Sequence, residues 1–306
     1  MRDRDRILVI GGTGRVGREL VPRLLARNAT VRVVTRDVQR AANLFEFMNI
    51  PPDHLQDLEF TQGDLDDPGI FDLLLEETDR AFLLSSATPR MAELQGHFIQ
   101  AAKGAELKNL VRLSTIGADP ASPVSLYRWH GQADELLEKS GVPHNILRSH
   151  YFIQNLMGFA SSVSTHHDFH APMGEGRIGL VDVRDVAEGA AALVLHGEEG
   201  TEPMYRFTGP ESLSFREIAA EMSEAFEIPV AYISVSQEEA RREYLAQGLS
   251  PWLSEAFIEL YDYFHMGNGD FTTGDVERLL GHRPRTVRAF LREHAAAFTG
   301  RTAPVN

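Results

Sequence analysis

Gly11, Gly14 and Gly17, in "RILVIGGTGRVGRELVPRLL", stand three residues apart directly after an apolar run and at the start of a helical pattern. A G-x-x-G-x-x-G spacing at such a junction suits a dinucleotide. The first glycine permits a tight turn, the second lets backbone approach a pyrophosphate, and the third lets helix and strand close on each other. The positive end of the helix then faces the phosphates. A merely glycine-rich β–α turn is the competing reading, and the strand–helix–strand context favours the nucleotide. Gly11, Thr13, Gly14, Arg15, Val16 and Gly17 are therefore expected to bind cofactor.

The end of the second strand should say which dinucleotide. An acidic residue there would accept from a free ribose hydroxyl, whereas arginine would pair with a 2′-phosphate. The chain reads "VRVVTRD", placing Arg36 first, with Arg15 as a second cation. This points to NADP(H) over NAD(H). The alternative is a solvated Arg36 with Asp37 capping the next helix. Asp64 and Leu65, in "QGDLDD", fall where an adenine packs in such folds, although Asp64 could equally cap a helix. Ser85 and Ser86 follow the fourth strand at the ligand-binding edge.

Two further patterns point away from chemistry. His166 and His170 are four apart in "THHDFH", a metal spacing on a helix, but without an accompanying H-E-x-x-H motif they read as a polar rim or surface. Asp185 in "VDVRDVAEG" reads as a helix cap. No metal is expected.

Composition narrows the partners. The 306 residues carry 44 acidic against 30 basic side chains, a net charge of −14, which repels nucleic-acid backbones and anionic membranes. With no cysteine, disulfides, iron–sulfur clusters and thiol nucleophiles are excluded. The first residues offer four consecutive apolar residues before glycine, too few for a signal-peptide core, and no later run is long enough to span a membrane. A cytoplasmic setting is expected.

The elements that would position these groups alternate. Strands are predicted at 7–10, 31–34, 58–62, 81–85, 109–114 and 144–149, with helices around 15–28, 38–47, 67–77, 91–105 and 131–140. That alternation demands crossovers and a parallel sheet covered on both faces. The fold class is α/β: a Rossmann-type doubly wound parallel sheet over 1–150, then a smaller, mainly helical substrate-binding portion over 151–306. Some of the later segments are expected to return to the sheet. Pro22 falls inside the first helix and should kink it without breaking it.

The motifs "GGTGRVG", "VVTRD", "GDL", "LRSHYFIQN", "VDVRDVA", "YRFTGPESLSFREIA" and "LYDYFHMGNGDFTTGDVERLLG", in that order, span nearly the whole chain. Together they resemble the NmrA-like atypical short-chain dehydrogenase/reductases, which include triphenylmethane reductase and NADPH-dependent quinone reductases. Ordinary members of the wider superfamily use Ser, Tyr and a Lys four residues after the Tyr, the lysine lowering the tyrosine pKa. Here Ser114 follows the fifth strand, but Gly131 stands four residues after Tyr127.

His130 occupies a position where the resemblance commonly places histidine. It would orient the nicotinamide, bind substrate, or donate a proton near neutrality; the alternative is a structural histidine. Ser114, Tyr127 and His130 are the catalytic candidates. The resemblance also puts Tyr151, Phe152, Asn155 and Pro172 of the "HAPMGEG" loop beside the nicotinamide, in a pocket between sheet edge and helical portion. Gly174 and Gly176 would let that loop act as a lid.

These features imply an NAD(P)H-dependent reductase that passes hydride to an aromatic, conjugated or quinone-like molecule without the Tyr–Lys pair. A non-catalytic NAD(P)-binding redox sensor acting on a protein partner is the second reading, and a redox-neutral enzyme on the same scaffold the third. The expected partners are a small-molecule substrate and, for the oligomer, a homodimer.

Overall fold

The structure, a computed structural model, describes residues 4–48, 50–197 and 202–300. Its strands are β1 (Arg6–Ile10), β2 (Thr30–Thr35), β3 (Leu58–Gln62), β4 (Arg80–Leu83), β5 (Asn109–Thr115), β6 (His144–Ser149), β7 (Asp168–Ala171), β8 (Arg177–Ile178), β9 (Met204–Phe207), β10 (Leu213–Ser214) and β11 (Ala231–Ser234). Seven of them form one sheet in the order β3-β2-β1-β4-β5-β6-β9. The pairs from β3 through to β6 are parallel. Chain order reverses between β1 and β4, which makes the carboxyl ends of those two strands the switch point where such sheets bind ligands.

Residues group into two compact units. The sheet unit takes 4–123, 127–149 and 183–206, and the second unit takes 124–126, 150–182 and 207–300. The helix Val183–His196 and strand β9 up to Arg206 thus belong with the sheet.

The sheet unit follows from its patterning. Ile7, Leu8 and Val9 are fully buried, as expected of a central parallel strand covered on both faces. Helix Arg15–Leu25 buries Val16, Leu20, Val21, Leu24 and Leu25 and continues through Pro22. It packs against Val183–His196, whose Gly189, Ala190 and Ala191 are all buried small residues. The predicted helix over 67–77 is shorter: Asp67 caps a 3-10 turn at Pro68–Ile70, and the α-helix covers Phe71–Leu75.

Strand β5 shows the two-residue period in its polar side chains. Asn109 donates to the Leu193 carbonyl of helix Val183–His196 at 2.9 Å. Arg112 and Ser114 instead reach Asp134 of helix Ser125–Glu138. Residues of like parity therefore meet the same helical layer.

In the second unit, β7 pairs with β11 in parallel and β8 with β10 antiparallel. Phe159, Phe169, Phe215, Tyr232 and Tyr261 form its aromatic core, mostly in edge-to-face contacts. Ser214 and Glu217 close a capping box on helix Phe215–Phe226, as the S-x-x-E spacing dictates. After Phe152 comes a 3-10 helix, Ile153–Phe159, followed by the α-helix Ala160–His166. Among the described residues no helix is long and apolar enough to cross a membrane.

Candidate active site

At the switch point Gly11 takes φ +83°, a left-handed conformation that favours glycine, and a Cβ there would sit 2.5 Å from the Leu84 carbonyl oxygen. A Cβ on Gly17 would overlap the Gly11 carbonyl oxygen and the Gly12 backbone. The turn is thus held to bare backbone by both neighbours. Gly14 occupies the N-cap of helix Arg15–Leu25, has no side-chain cap, and the first turn carries no acidic residue. Amides at that end are complementary to an anion. A dinucleotide pyrophosphate fits this cradle. Thr13 is half-buried and Arg15 exposed at its rim, while the Val16 side chain is core, so Val16 offers backbone only.

Arg36 lies beyond β2 with its side chain 86% exposed, and its Nε is 3.7 Å from an Asp64 carboxylate oxygen. Asp37 caps helix Val38–Glu46 by accepting from the Arg40 amide at 2.9 Å. Its carboxylate is thereby engaged in holding the helix. Asp64 closes a short turn to the Asp66 amide, and the next helical cap is Asp67. Leu65 packs with Ile10, Val34 and Phe71, which leaves its backbone as the part facing outward chemistry. Ser85 accepts from Gln95 Nε2 at 2.8 Å, and Ser86 is exposed. These nucleotide candidates all follow β1 to β4 at the carboxyl edge of one sheet.

Two of the catalytic candidates, Ser114 and His130, meet around a buried ionic cluster. The Ser114 hydroxyl donates to Asp134 Oδ2 at 2.9 Å, which commits its proton. Arg112, fully buried, donates from Nη1 to Asp134 Oδ1 and from Nε to Gln95 Oε1 at 2.6 Å. Its Nη2 is 3.4 Å from Nδ1 of His130. Arg148 reaches Asp134 Oδ2 with Nη2 at 2.8 Å and Nε at 3.0 Å. One carboxylate therefore faces two guanidinium groups.

Burial, then the charges of Arg112 and Arg148, push the half-buried His130 imidazole well below its usual range. Burial and two nearby cations thus oppose protonation of the ring that was expected to donate a proton near neutrality. Tyr127 is buried, its ring lying over Gly117, where an added Cβ would come within 2.7 Å of it. A Cβ on Gly131 would overlap the backbone of Asp119 and Pro120, so the position of the missing lysine has no room for any side chain.

Gln95, Arg112, Asp134 and Arg148 were not anticipated from the sequence. Their signal was present: a single arginine interrupts each of the apolar strands "LVRLS" and "NILRS", and a core arginine requires a buried acceptor.

The substrate candidates belong to the second unit. The Tyr151 hydroxyl is 2.8 Å from that of Tyr261, which also bonds to Tyr244; burial pushes the Tyr261 phenol well up, so it stays protonated. Phe152 bridges to Val181, and the Asn155 amide donates to the Phe152 carbonyl at 3.0 Å. Both side chains are half-buried, whereas Pro172 is buried. The loop expected to act as a lid is packed in this structure. Gly174 and Gly176 are close-approach positions, each with no space for a Cβ against helix Pro251–His265, and the Met173 amide and carbonyl are held by Tyr232 and His265.

His150, beside Tyr151, stacks on Phe264 and meets Phe271 edge-on, accepts from the Tyr151 amide at 2.8 Å, and is pushed down to about 4 by burial. His166 ends its helix and His170 lies on β7, with left-handed His167 between them, so they do not share a helix face.

Comparison with known proteins is consistent with this geometry. The NmrA-like family model matches residues 3–291. The NAD(P)H azoreductase of Xenophilus azovorans is 32% identical over 296 residues, 95% of this chain and 99% of that protein. The fold is shared with two solved structures. An Escherichia coli NADPH-dependent quinone oxidoreductase in complex with NADPH has TM-score 0.81 at 23% identity, covering 94% of this chain and 99% of that one. The Citrobacter sp. triphenylmethane reductase complexed with NADP(H) has TM-score 0.80 at 20% identity, with coverage of 94% and 99%.

Proposed function

The chain belongs to the NmrA-like family, and from that premise we propose that it is an NADPH-dependent reductase of an aromatic, conjugated or quinone-like small molecule. The observation that carries the reading is the bare backbone cradle at Gly11 and Gly17, closed against Leu84 and opening onto an uncapped helix end. Relatives that reduce azo compounds and quinones support the substrate class. The nicotinamide dinucleotide supplies the hydride when bound.

The chain's own groups do the holding. Backbone from Gly11 to Gly17 receives the pyrophosphate, with Arg15 at its edge. Arg36 pairs with the 2′-phosphate, because Asp37 is engaged as a cap and does not compete for a ribose hydroxyl. Asp64, Leu65, Ser85 and Ser86 line the remaining nucleotide. His130 orients the reacting partners, with Ser114 held behind it through Asp134. Tyr151, Phe152 and Asn155 supply contacts to the acceptor.

With Tyr127 buried and no lysine possible at 131, the reading relies on positioning two partners face to face rather than on a strong acid, which suits acceptors whose charge delocalises. The test is oxidation of NADPH against a panel of quinones, azo compounds, cationic dyes and enones, beside calorimetric titration of NADPH and NADP⁺. Turnover with an acceptor supports the reductase. Tight binding without turnover on any acceptor overturns it in favour of a cofactor-binding regulator.

A further inference from the structure

A strand at the centre of a sheet is a costly place for an arginine. Arg112 is fully buried there, and its guanidinium is fixed by groups from two helices: Gln95 of Met91–Ala102, and Asp134 and His130 of Ser125–Glu138. His130 and Asp134 are four residues apart, hence on one helix face, and the arginine fork spans the pair. Arg148 of β6 and the Ser114 hydroxyl complete the carboxylate's bonds. The charged groups facing His130 are therefore Arg112 from β5, Arg148 from β6 and Asp134 from its own helix, and they sum to one positive charge.

A guanidinium has donors and no acceptor. Its 3.4 Å contact with Nδ1 of His130 can be a hydrogen bond only if Nδ1 accepts, which leaves the ring proton on Nε2. We propose that Arg112 is a positioning residue that fixes His130 as the neutral Nε2–H tautomer, making it a hydrogen-bond donor toward the acceptor rather than a proton donor. This rests on the reductase reading above.

Hydride transfer turns a neutral acceptor into an anion and leaves the cofactor oxidised. That anion takes its one proton from water, and Nε2–H holds it without losing its own. The surplus positive charge behind the ring favours the same anion. Acceptors that become anionic on receiving hydride should thus be reduced in preference to dyes that are already cationic. Gln95 extends the arrangement: its Nε2 donates to Ser85 Oγ at 2.8 Å, so the same network also fixes a hydroxyl at the nucleotide edge.

The test begins with the unaltered chain. Two-bond ¹⁵N–¹H histidine spectra, with His130→Gln identifying the signal among the 12 histidines, should show the Nε2–H tautomer at pH 7, with and without NADP⁺. An Nδ1–H ring, or a protonated one at pH 7, overturns the proposal. Arg112→Gln leaves Asp134 paired with Arg148. It should give a tautomer mixture, raise the His130 titration in part while burial and Arg148 still hold it down, and lower kcat roughly 100-fold with the KM for NADPH unchanged.

An unchanged tautomer and titration in Arg112→Gln would also overturn the proposal. Arg112→Lys, which keeps charge but not the fork, should restore the low titration and not the pure tautomer. If Arg112→Gln does not fold, the spectrum of the unaltered chain decides alone. Failure of every acceptor to be reduced removes the reductase reading, and the tautomer is still read directly.

Discussion

Arg36 shows how a single side chain acquires a role from its surroundings. Exposed and 3.7 Å from Asp64, it contributes little to stability, as exposed ion pairs generally do. On the NADP(H) reading proposed above, its worth would lie in a charge-assisted bond to a 2′-phosphate, typically about 1.5–3 kcal/mol. Arg36→Ala is therefore expected to weaken NADPH binding roughly 10- to 100-fold while leaving NADH affinity and the unfolding midpoint nearly unchanged. Calorimetry with both cofactors checks this, and equal losses for the two would withdraw the NADP(H) assignment. Asp37, next to it, shows the opposite case: a carboxylate in a ribose-binding position is spent on a helix N-terminus.

At the scale of elements, glycines decide where backbone segments may touch. Gly17 brings helix Arg15–Leu25 onto the loop after β1, and Gly131 brings helix Ser125–Glu138 onto the turn at Asp119 and Pro120. The second contact explains the lost lysine, because a helix packed this closely cannot carry a side chain at 131. Gly131→Ala should destabilise the chain by about 1–3 kcal/mol through overpacking, read from urea unfolding. Gly131→Lys should not create a working Tyr–Lys pair. A well-folded Gly131→Lys variant with faster turnover would show instead that the helix can retreat from the turn.

For the molecule as a whole, each unit carries a histidine kept neutral by burial: His130 in the sheet unit and His150 in the other. Both folded-state values lie below the unfolded one, so below about pH 6.5 the unfolded chain binds more protons and stability falls with pH. For His150, which titrates at about 4 when folded, the loss approaches about 3 kcal/mol by pH 4. His130 adds in the same direction. Depressed carboxyls such as Asp5 and Glu217, held low by Lys108 with Arg80 and by Ser214 with Arg177 against the opposing effect of burial, extend the loss to lower pH. Urea midpoints should drop between pH 7 and pH 5, and a flat profile would mean that both rings take up protons in the folded chain as they do in the unfolded one.

The alternation of strands and helices and the glycine turn after the first strand were legible in the sequence because each depends on residues close together in the chain. Period, glycine spacing and cap chemistry are local, and they act before any long-range contact forms. The two strand arginines signalled a buried acceptor, but the grouping of Gln95, Arg112, Asp134 and Arg148 was not legible, since its members come from two strands and two helices and meet only when the sheet is assembled. The same holds for His130, whose residue type suggested a proton donor at neutral pH. Desolvation and two arginines brought from β5 and β6 oppose its protonation, and no property of the segment around residue 130 carries that information.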